Sequence, residues 1–197
     1  MGVGLLRCLP LGCSDRSHRS GVRSLAGVSR WRMERLFTGG SGSRVLIAYF
    51  SWGGNTRGAA KEIARQTGAG LFEITMVEPY STNYNTVPDQ AQADQNIQAR
   101  PDLAGHVENM ASYDTILLGY PNWWASIPMP VASFPEEYDF SGKTVVPFAT
   151  SGGSGMGKTD RILQRLCPSD VRWLPGKRLS SRESAASVRK WIDGLNI

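Results

Sequence analysis

The sequence predicts a three-layer α/β fold built on a parallel sheet of five strands. Three observations carry that expectation. Five short runs read as strands, at 45–50, 71–77, 115–120, 144–150 and 171–174, and helix-like segments alternate with them. The runs at 45–50 and 115–120 are largely apolar, the pattern of strands covered on both faces. Three chemically unusual loops, 51–56, 121–125 and 151–157, each follow directly on an apolar run. In such a fold ligands bind beyond the carboxyl ends of the strands, where strand order reverses, so the architecture would bring these loops together.

The first unit organises the chain. Residues 45–50 are six apolar side chains in a row, and Ser51, Gly53, Gly54, Asn55 and Thr56 then make a tight polar turn. Ala59, Ala60, Ile63 and Ala64 follow at helical spacing. A strand, a small-residue turn and a helix start make an anion site, because free N–H groups and the positive helix end converge there. Glycine lets a phosphate approach the backbone closely, and the hydroxyls of Ser51 and Thr56 can add donors. An ordinary strand-to-helix loop with an Asn or Thr cap has the same local pattern.

Gly68 and Gly70 stop the first helix. Residues 71–77 then alternate, with Phe72, Ile74 and Met76 on one side and Glu73 and Thr75 on the other, as expected near a sheet edge. The stretch 78–112 is polar; Pro79, Pro88 and Pro101 divide it into a loop, a helix around 89–100 and a short turn. Tyr80 and Tyr84 are expected to pack that loop onto the body, and His106 to lie on the surface. Ile116, Leu117 and Leu118 mark the next strand, and a short helix starts near Pro130. Pro147 within 144–150 predicts one missing ladder hydrogen bond. Ile162, Leu163 and Leu166 form one face of a helix at 159–166. A closing amphipathic helix at 183–195 turns Ala185, Val188, Ile192 and Leu195 inward.

At 197 residues and 41% apolar composition the chain suits one globular domain with an additional tail. No apolar run approaches the roughly 20 residues that span a bilayer. Cys8, Cys13 and Cys167 are too sparse for a disulfide framework, and with only His18 and His106 no metal site is expected. The net charge of +5 resides in the tail. Residues 1–44 hold eight arginines against Asp15 and Glu34, leaving 14 basic and 15 acidic residues in the body, a net of −1. No basic face for nucleic acid is therefore expected. The tail is rich in Arg, Ser and Gly and ends in a flexible linker, Thr38-Gly-Gly-Ser-Gly-Ser43. Its composition resembles an organelle transit peptide. Leu11-Gly12-Cys13 faintly resembles a lipoprotein cleavage site, but Arg7 interrupts the apolar stretch before it. The reading adopted is a disordered extension over 1–43, a domain over 44–197 and a cytoplasmic protein.

Two phosphate readings compete. Gly152-Gly-Ser-Gly-Met-Gly-Lys-Thr159 matches the nucleotide-binding pattern GxxxxGK followed by Ser or Thr, between a strand and a helix. A nucleotide-hydrolysing domain also needs a strand ending in Asp to help hold magnesium. The strand at 171–174 ends in Pro175 and the strand at 115–120 in Pro121, so that part is missing.

The other reading uses all three loops. Ser51-Trp-Gly-Gly-Asn-Thr56 resembles the phosphate loop of flavodoxins, Tyr120-Pro-Asn-Trp-Trp124 the loop that covers the flavin ring, and Phe148-Ala-Thr-Ser-Gly-Gly-Ser-Gly155 the loop that closes its other side. Pro79-Tyr80, Tyr84 and Val188-Arg-Lys-Trp-Ile192 also fit a bacterial flavodoxin-like subfamily. The resemblance covers about 44–197 and implies strand order 2-1-3-4-5, with the half-polar second strand at an edge. It implies FMN as cofactor, held by Ser51, Trp52, Gly53, Gly54, Asn55, Thr56, Pro121, Asn122, Trp123, Trp124, Ser151, Gly152, Gly153 and Gly155, with no catalytic acid, base or nucleophile. One of Trp123 and Trp124 is expected to touch the ring while the other packs beside Pro121, and Trp52 to cap the site or shield the phosphate loop. The implied partners are FMN, an electron donor and an acceptor, with a homodimer left open. Two departures stand out. Ala125 replaces the glycine common in the subfamily, and the nearly neutral body lacks the acidic surface of electron carriers. The second favours reduction of a small molecule such as a quinone over pure electron transfer. A nucleotide binder using Gly152–Thr159 and a flavin-free interaction scaffold are the alternatives.

Overall fold

The computed structural model describes residues 44–180 and 182–197. The predicted extension over 1–43 lies outside them. Strand β1 (Val45–Tyr49) leads into helix α1 (Asn55–Thr67) and strand β2 (Gly70–Glu73). A short β3 (Thr75–Met76), α2 (Val87–Ile97) and β4 (Leu103–Ala104) precede a single 3₁₀ turn at Met110–Ser112. Then come β5 (Thr115–Pro121), α3 (Met129–Glu137), β6 (Thr144–Thr150) and α4 (Thr159–Leu166). Two short strands, β7 (Arg172–Trp173) and β8 (Lys177–Leu179), and helix α5 (Ala185–Leu195) complete the chain.

The main sheet runs β2-β1-β5-β6-β7, with β8 also paired to β6, and every pairing in it is parallel. This is the predicted 2-1-3-4-5 order, with the half-polar second strand at the edge. Alternation along the strands sorts side chains onto two faces. Leu46, Ala48, Ile116, Leu118, Tyr120, Val145 and Ala149 join Val131 and Phe134 of α3 and Leu163 of α4 in one core. Ile47, Tyr49, Leu117, Val146 and Phe148 join Ala60 and Ile63 of α1 and Val188 and Ile192 of α5 in the other. A large apolar side chain fully buried in this way contributes about 1.5–3 kcal/mol, which is why the central strands carry almost no polar residues.

Three expectations need correction. The run 71–77 is not one strand. β1 ends at Tyr49, so beyond Ile74, whose N–H still donates to the Tyr49 carbonyl at 2.7 Å, the chain has no neighbour in the main sheet. It finds one in β4, where Thr75 and Met76 pair antiparallel with Ala104 and Leu103. β4 thus supplies the backbone partners that β1 no longer offers. The fifth strand is likewise two pieces. β7 pairs with Thr144 and Val145 and β8 with Phe148, Ala149 and Thr150, so the gap falls opposite Val146 and Pro147. Proline has no N–H to give a neighbour, and Gly176 passes so close that a Cβ there would lie 2.9 Å from the Pro147 ring. Finally, Ala185 is exposed at the first turn of α5, where Ser184 caps the helix by accepting from the Ser187 N–H at 3.2 Å. Trp191 occupies the inner face instead, 6.3 Å from Phe148 ring to ring.

Three tyrosines are buried: Tyr49, Tyr80 and Tyr120. Burial raises each phenol above its ordinary value; for Tyr80 the Asp94 carboxylate, 2.8 Å from its hydroxyl, adds to the effect. Their neutral forms therefore stabilise the fold fully below the unfolded pKa of about 10, and that stability is lost as pH rises beyond it. Urea melts at pH 9 and pH 11 are expected to show lower stability at pH 11, with a smaller loss in a Tyr80→Phe variant.

Candidate functional site

Helix α1 begins at Asn55, so Asn55 and Thr56 are its first turn and the predicted loop is shorter than 51–56. Its N-cap is Gly54 at φ 85°, a left-handed conformation that glycine adopts readily. Gly54 has no side chain to cap the helix and no acidic residue stands in its first turn, so no carboxylate neutralises the positive helix end. The Arg57 N–H donates to Ser51 Oγ at 3.2 Å, which folds the loop over the helix end. The Arg57 guanidinium turns away onto the carboxylate of Glu73, which also accepts from the Tyr49 hydroxyl at 3.2 Å. Thr56 is buried, its Oγ1 2.8 Å from that of Thr150 at the end of β6. Trp52 is anchored by its indole N–H, which donates to the Ser81 carbonyl at 2.8 Å.

The loop after β5 is a two-residue hairpin. The Trp123 N–H donates to the Ser126 carbonyl and the Ser126 N–H returns to Trp123, at 3.2 and 2.9 Å. Trp124 and Ala125 between them have φ of 51° and 58°. Such a turn favours Asn-Gly, because a left-handed residue with a Cβ costs about 1–2 kcal/mol. Ala125 is also tightly faced: a Cβ on Gly157, itself at φ 66°, would lie 2.9 Å from that of Ala125. Ala125→Gly is therefore expected to stabilise the protein by about 0.5 kcal/mol, once the extra freedom of glycine in the unfolded chain is offset. Chemical denaturation checks this.

The loop after β6 packs back on the same region. Asn122 donates through its side-chain amide to the Gly155 carbonyl, and its backbone N–H to the Thr150 carbonyl at 2.9 Å. The Ser151 hydroxyl donates to the Ser154 carbonyl. The Asn122 Oδ1 is buried with no partner, although it lies in the wall of the cleft that the three loops enclose.

That cleft has a volume of about 350 Å³. Of the predicted residues, Ser51, Trp52, Gly53, Asn55, Thr56, Pro121, Asn122, Trp123, Ser151 and Gly152 line it, whereas Gly54, Trp124, Gly153 and Gly155 do not. Thr150 and Tyr84 line it without having been expected there. Thr150 is the strand residue just before a predicted loop, a position that could have signalled it. Tyr84 arrives from a distant loop by packing against Trp52 at 6.1 Å, which no local pattern encodes. No charged side chain lines the cleft.

The family model described as flavodoxin, Flavodoxin_4, matches residues 44–195. The chain belongs to the flavodoxin family. The structure resembles that of a Bacteroides eggerthii protein assigned as a flavoprotein, with 34% identity, a TM-score of 0.72, and coverage of 79% of this chain and 99% of that one. A protein of Bacteroides uniformis with the same assignment has 33% identity, a TM-score of 0.70, and coverage of 77% and 99%. A flavoprotein of Lactobacillus acidophilus, crystallised in complex with FMN, shares the fold at 22% identity, with a TM-score of 0.63 and coverage of 77% and 99%. No curated protein matches the chain.

Thr159 is fully buried and its hydroxyl donates to the Met156 carbonyl at 2.7 Å, so it is not free to hold a magnesium ion beside a nucleotide. Trp123 packs edge-on against Phe50 at 5.9 Å and forms the cleft wall, while Trp124 is 50% exposed outside it. Burial pushes the Cys167 thiol up to about 11, away from nucleophilic reactivity. Tyr80 packs its loop inward as expected, but Tyr84 is 75% exposed, and His106 lies on the surface. Among the described residues, no helix is long and apolar enough to cross a membrane.

Proposed function

We propose that this protein binds FMN in the cleft and uses it to reduce a small molecule such as a quinone. The observation that carries the reading is a helix start with no acidic residue in its first turn, opening on a cleft that no charged side chain lines. The donor set fits a phosphate held by neutral groups: backbone N–H groups at Asn55 and Thr56, with the hydroxyls of Ser51 and Thr56. The unpartnered Asn122 Oδ1 fits a ring N–H donor, since a buried acceptor left unpaired is costly. Trp123 offers the aromatic wall, and Pro121, Ser151 and Gly152 the remaining backbone around a ring. Gly54 supplies the turn that makes the phosphate site, and Gly153 and Gly155 the shape of the loop beyond it.

When bound, FMN supplies the one- and two-electron chemistry. The chain's own residues bind, orient and shield it. Trp52 and Tyr84 form part of the cleft wall, and the neutral lining leaves the phosphate dianion as the site's main charge. The body's net charge of −1 gives little long-range steering towards a basic protein partner, which supports a small-molecule acceptor.

Titrating FMN into the full chain is the direct test. Binding at micromolar concentration with quenched flavin fluorescence is expected. Absence of binding would remove the function and leave the fold. Lys158→Ala is expected to leave FMN affinity within about twofold, because a nucleotide-type lysine has no role in this site.

A further inference from the structure

Helices α2, α3 and α4 pack on one face of the sheet and meet around a cavity of about 260 Å³. It shares no lining residue with the cleft. Its floor is aliphatic. Met129 and Ala132 of α3 are buried there, and Ile162 and Leu166 of α4 are half-buried. Gln95, Gln98, Arg100 and Arg165 stand around the mouth, and no carboxylate lines it.

The polar groups at the mouth are not equally engaged. The Gln95 amide donates to the Trp123 and Ile127 carbonyls at 3.4 and 3.2 Å. The Arg100 guanidinium is held by the Glu136 carboxylate at 2.7 Å and by the Gln98 and Ala99 carbonyls. Arg165, in the last turn of α4, makes no ion pair among the described residues. With Arg100 balanced by Glu136, the mouth keeps one unpaired positive charge above an apolar hollow. A concave apolar surface with a few polar groups at its edge is the usual form of a small-molecule site. One unpaired guanidinium matches one carboxylate, which it can hold through two parallel N–H groups. A floor of Met, Ala, Ile and Leu without an aromatic ring suits a saturated chain. At about 30 Å³ for a water-sized group, the cavity takes about nine non-hydrogen atoms.

We propose that this cavity is a binding site for a small aliphatic monocarboxylate. The carboxylate lies on Arg165 and the chain lies on Met129, Ala132, Ile162 and Leu166. The site is independent of the FMN cleft and of the function proposed above.

The test titrates hexanoate, whose size matches the cavity, into the full chain at pH 7. The methyl resonances of Met129, Ala132, Ile162 and Leu166 report where it binds, without FMN and then with FMN in excess. Saturable shifts at these methyls are expected at millimolar hexanoate, with the same affinity in both conditions. Hexanol and acetate are each expected to bind at least about fivefold more weakly, the first for want of charge and the second for want of a chain. Arg165→Met is expected to weaken hexanoate at least about fivefold, and Arg165→Lys to retain part of the affinity. Arg165 is exposed, so neither substitution disturbs the core. Unchanged hexanoate affinity in Arg165→Met, or equal affinity for hexanol, overturns recognition of a carboxylate. Acetate binding as tightly as hexanoate overturns the role of the aliphatic floor. Absence of saturable shifts at the four methyls overturns the site. Displacement of hexanoate by FMN overturns its separation from the cleft.

Discussion

Thr56→Val is expected to lower FMN affinity by about a hundredfold. The hydroxyl sits in the first turn of α1, and a hydrogen bond to a charged group is worth about 1.5–3 kcal/mol. Each 1.4 kcal/mol is a factor of about ten in affinity. A second cost falls on the fold. Thr56 Oγ1 lies 2.8 Å from Thr150 Oγ1, and both residues are buried. Valine leaves the Thr150 hydroxyl unpaired, a loss of about 1–3 kcal/mol in stability. The two effects separate in a double variant. Thr56→Val with Thr150→Val removes both hydroxyls, so much of the stability is expected to return while FMN affinity stays low. FMN titration and urea denaturation on the three variants check this. Ordinary flavin affinity in Thr56→Val would take this helix start out of the phosphate site.

Gly119→Ala is expected to cost at least about 3 kcal/mol and to leave much of the protein unfolded when expressed. Gly119 lies in the middle of the sheet on β5, paired with Tyr49 on one side and Phe148 on the other. A Cβ built there would lie 2.1 Å from the Phe148 Cζ, with two further ring carbons within 2.7 Å. The ring has nowhere to retreat, because Phe148 is fully buried and packs against Trp191. Inserting a methyl into such a core commonly costs about 1–3 kcal/mol, and more where neighbours cannot shift. Phe148→Leu in the same chain should recover part of the loss, since it removes the clashing ring edge. Thermal unfolding of the single and double variants measures the coupling. A Gly119→Ala protein as stable as the parent would be incompatible with Phe148 lying over this glycine.

Most of the architecture was legible because it rests on burial. The apolar runs at 45–50 and 115–120 had to be central, and the alternating run at 71–77 had to lie near an edge. What was not legible depended on pairing between distant segments. Nothing near Thr75 announces that its partner is Ala104, and nothing near Lys177 announces that it resumes a ladder interrupted at Pro147. Pro147 did signal a missing bond, but not that the neighbouring strand would divide there. At the site, loop chemistry brought into view the three segments that line the cleft. The division of labour between Trp123 and Trp124 was open, because adjacent residues share every local property. It is the hairpin backbone that turns Trp123 to the cleft wall and Trp124 outward. Tyr84 reaches the cleft through a contact with Trp52 that spans two loops, which no local pattern encodes.

The interruption opposite Pro147 also bears on how this molecule meets copies of itself. A sheet border invites another chain when it offers a long, straight row of unpaired backbone groups. Here that border consists of one strand of two residues and another of three, separated by Leu174, Pro175 and Gly176. Neither piece is long enough to template an intermolecular ladder. Self-association on that side of the molecule must therefore use side-chain surfaces, and the border is protected against the edge-to-edge growth that leads to fibrils.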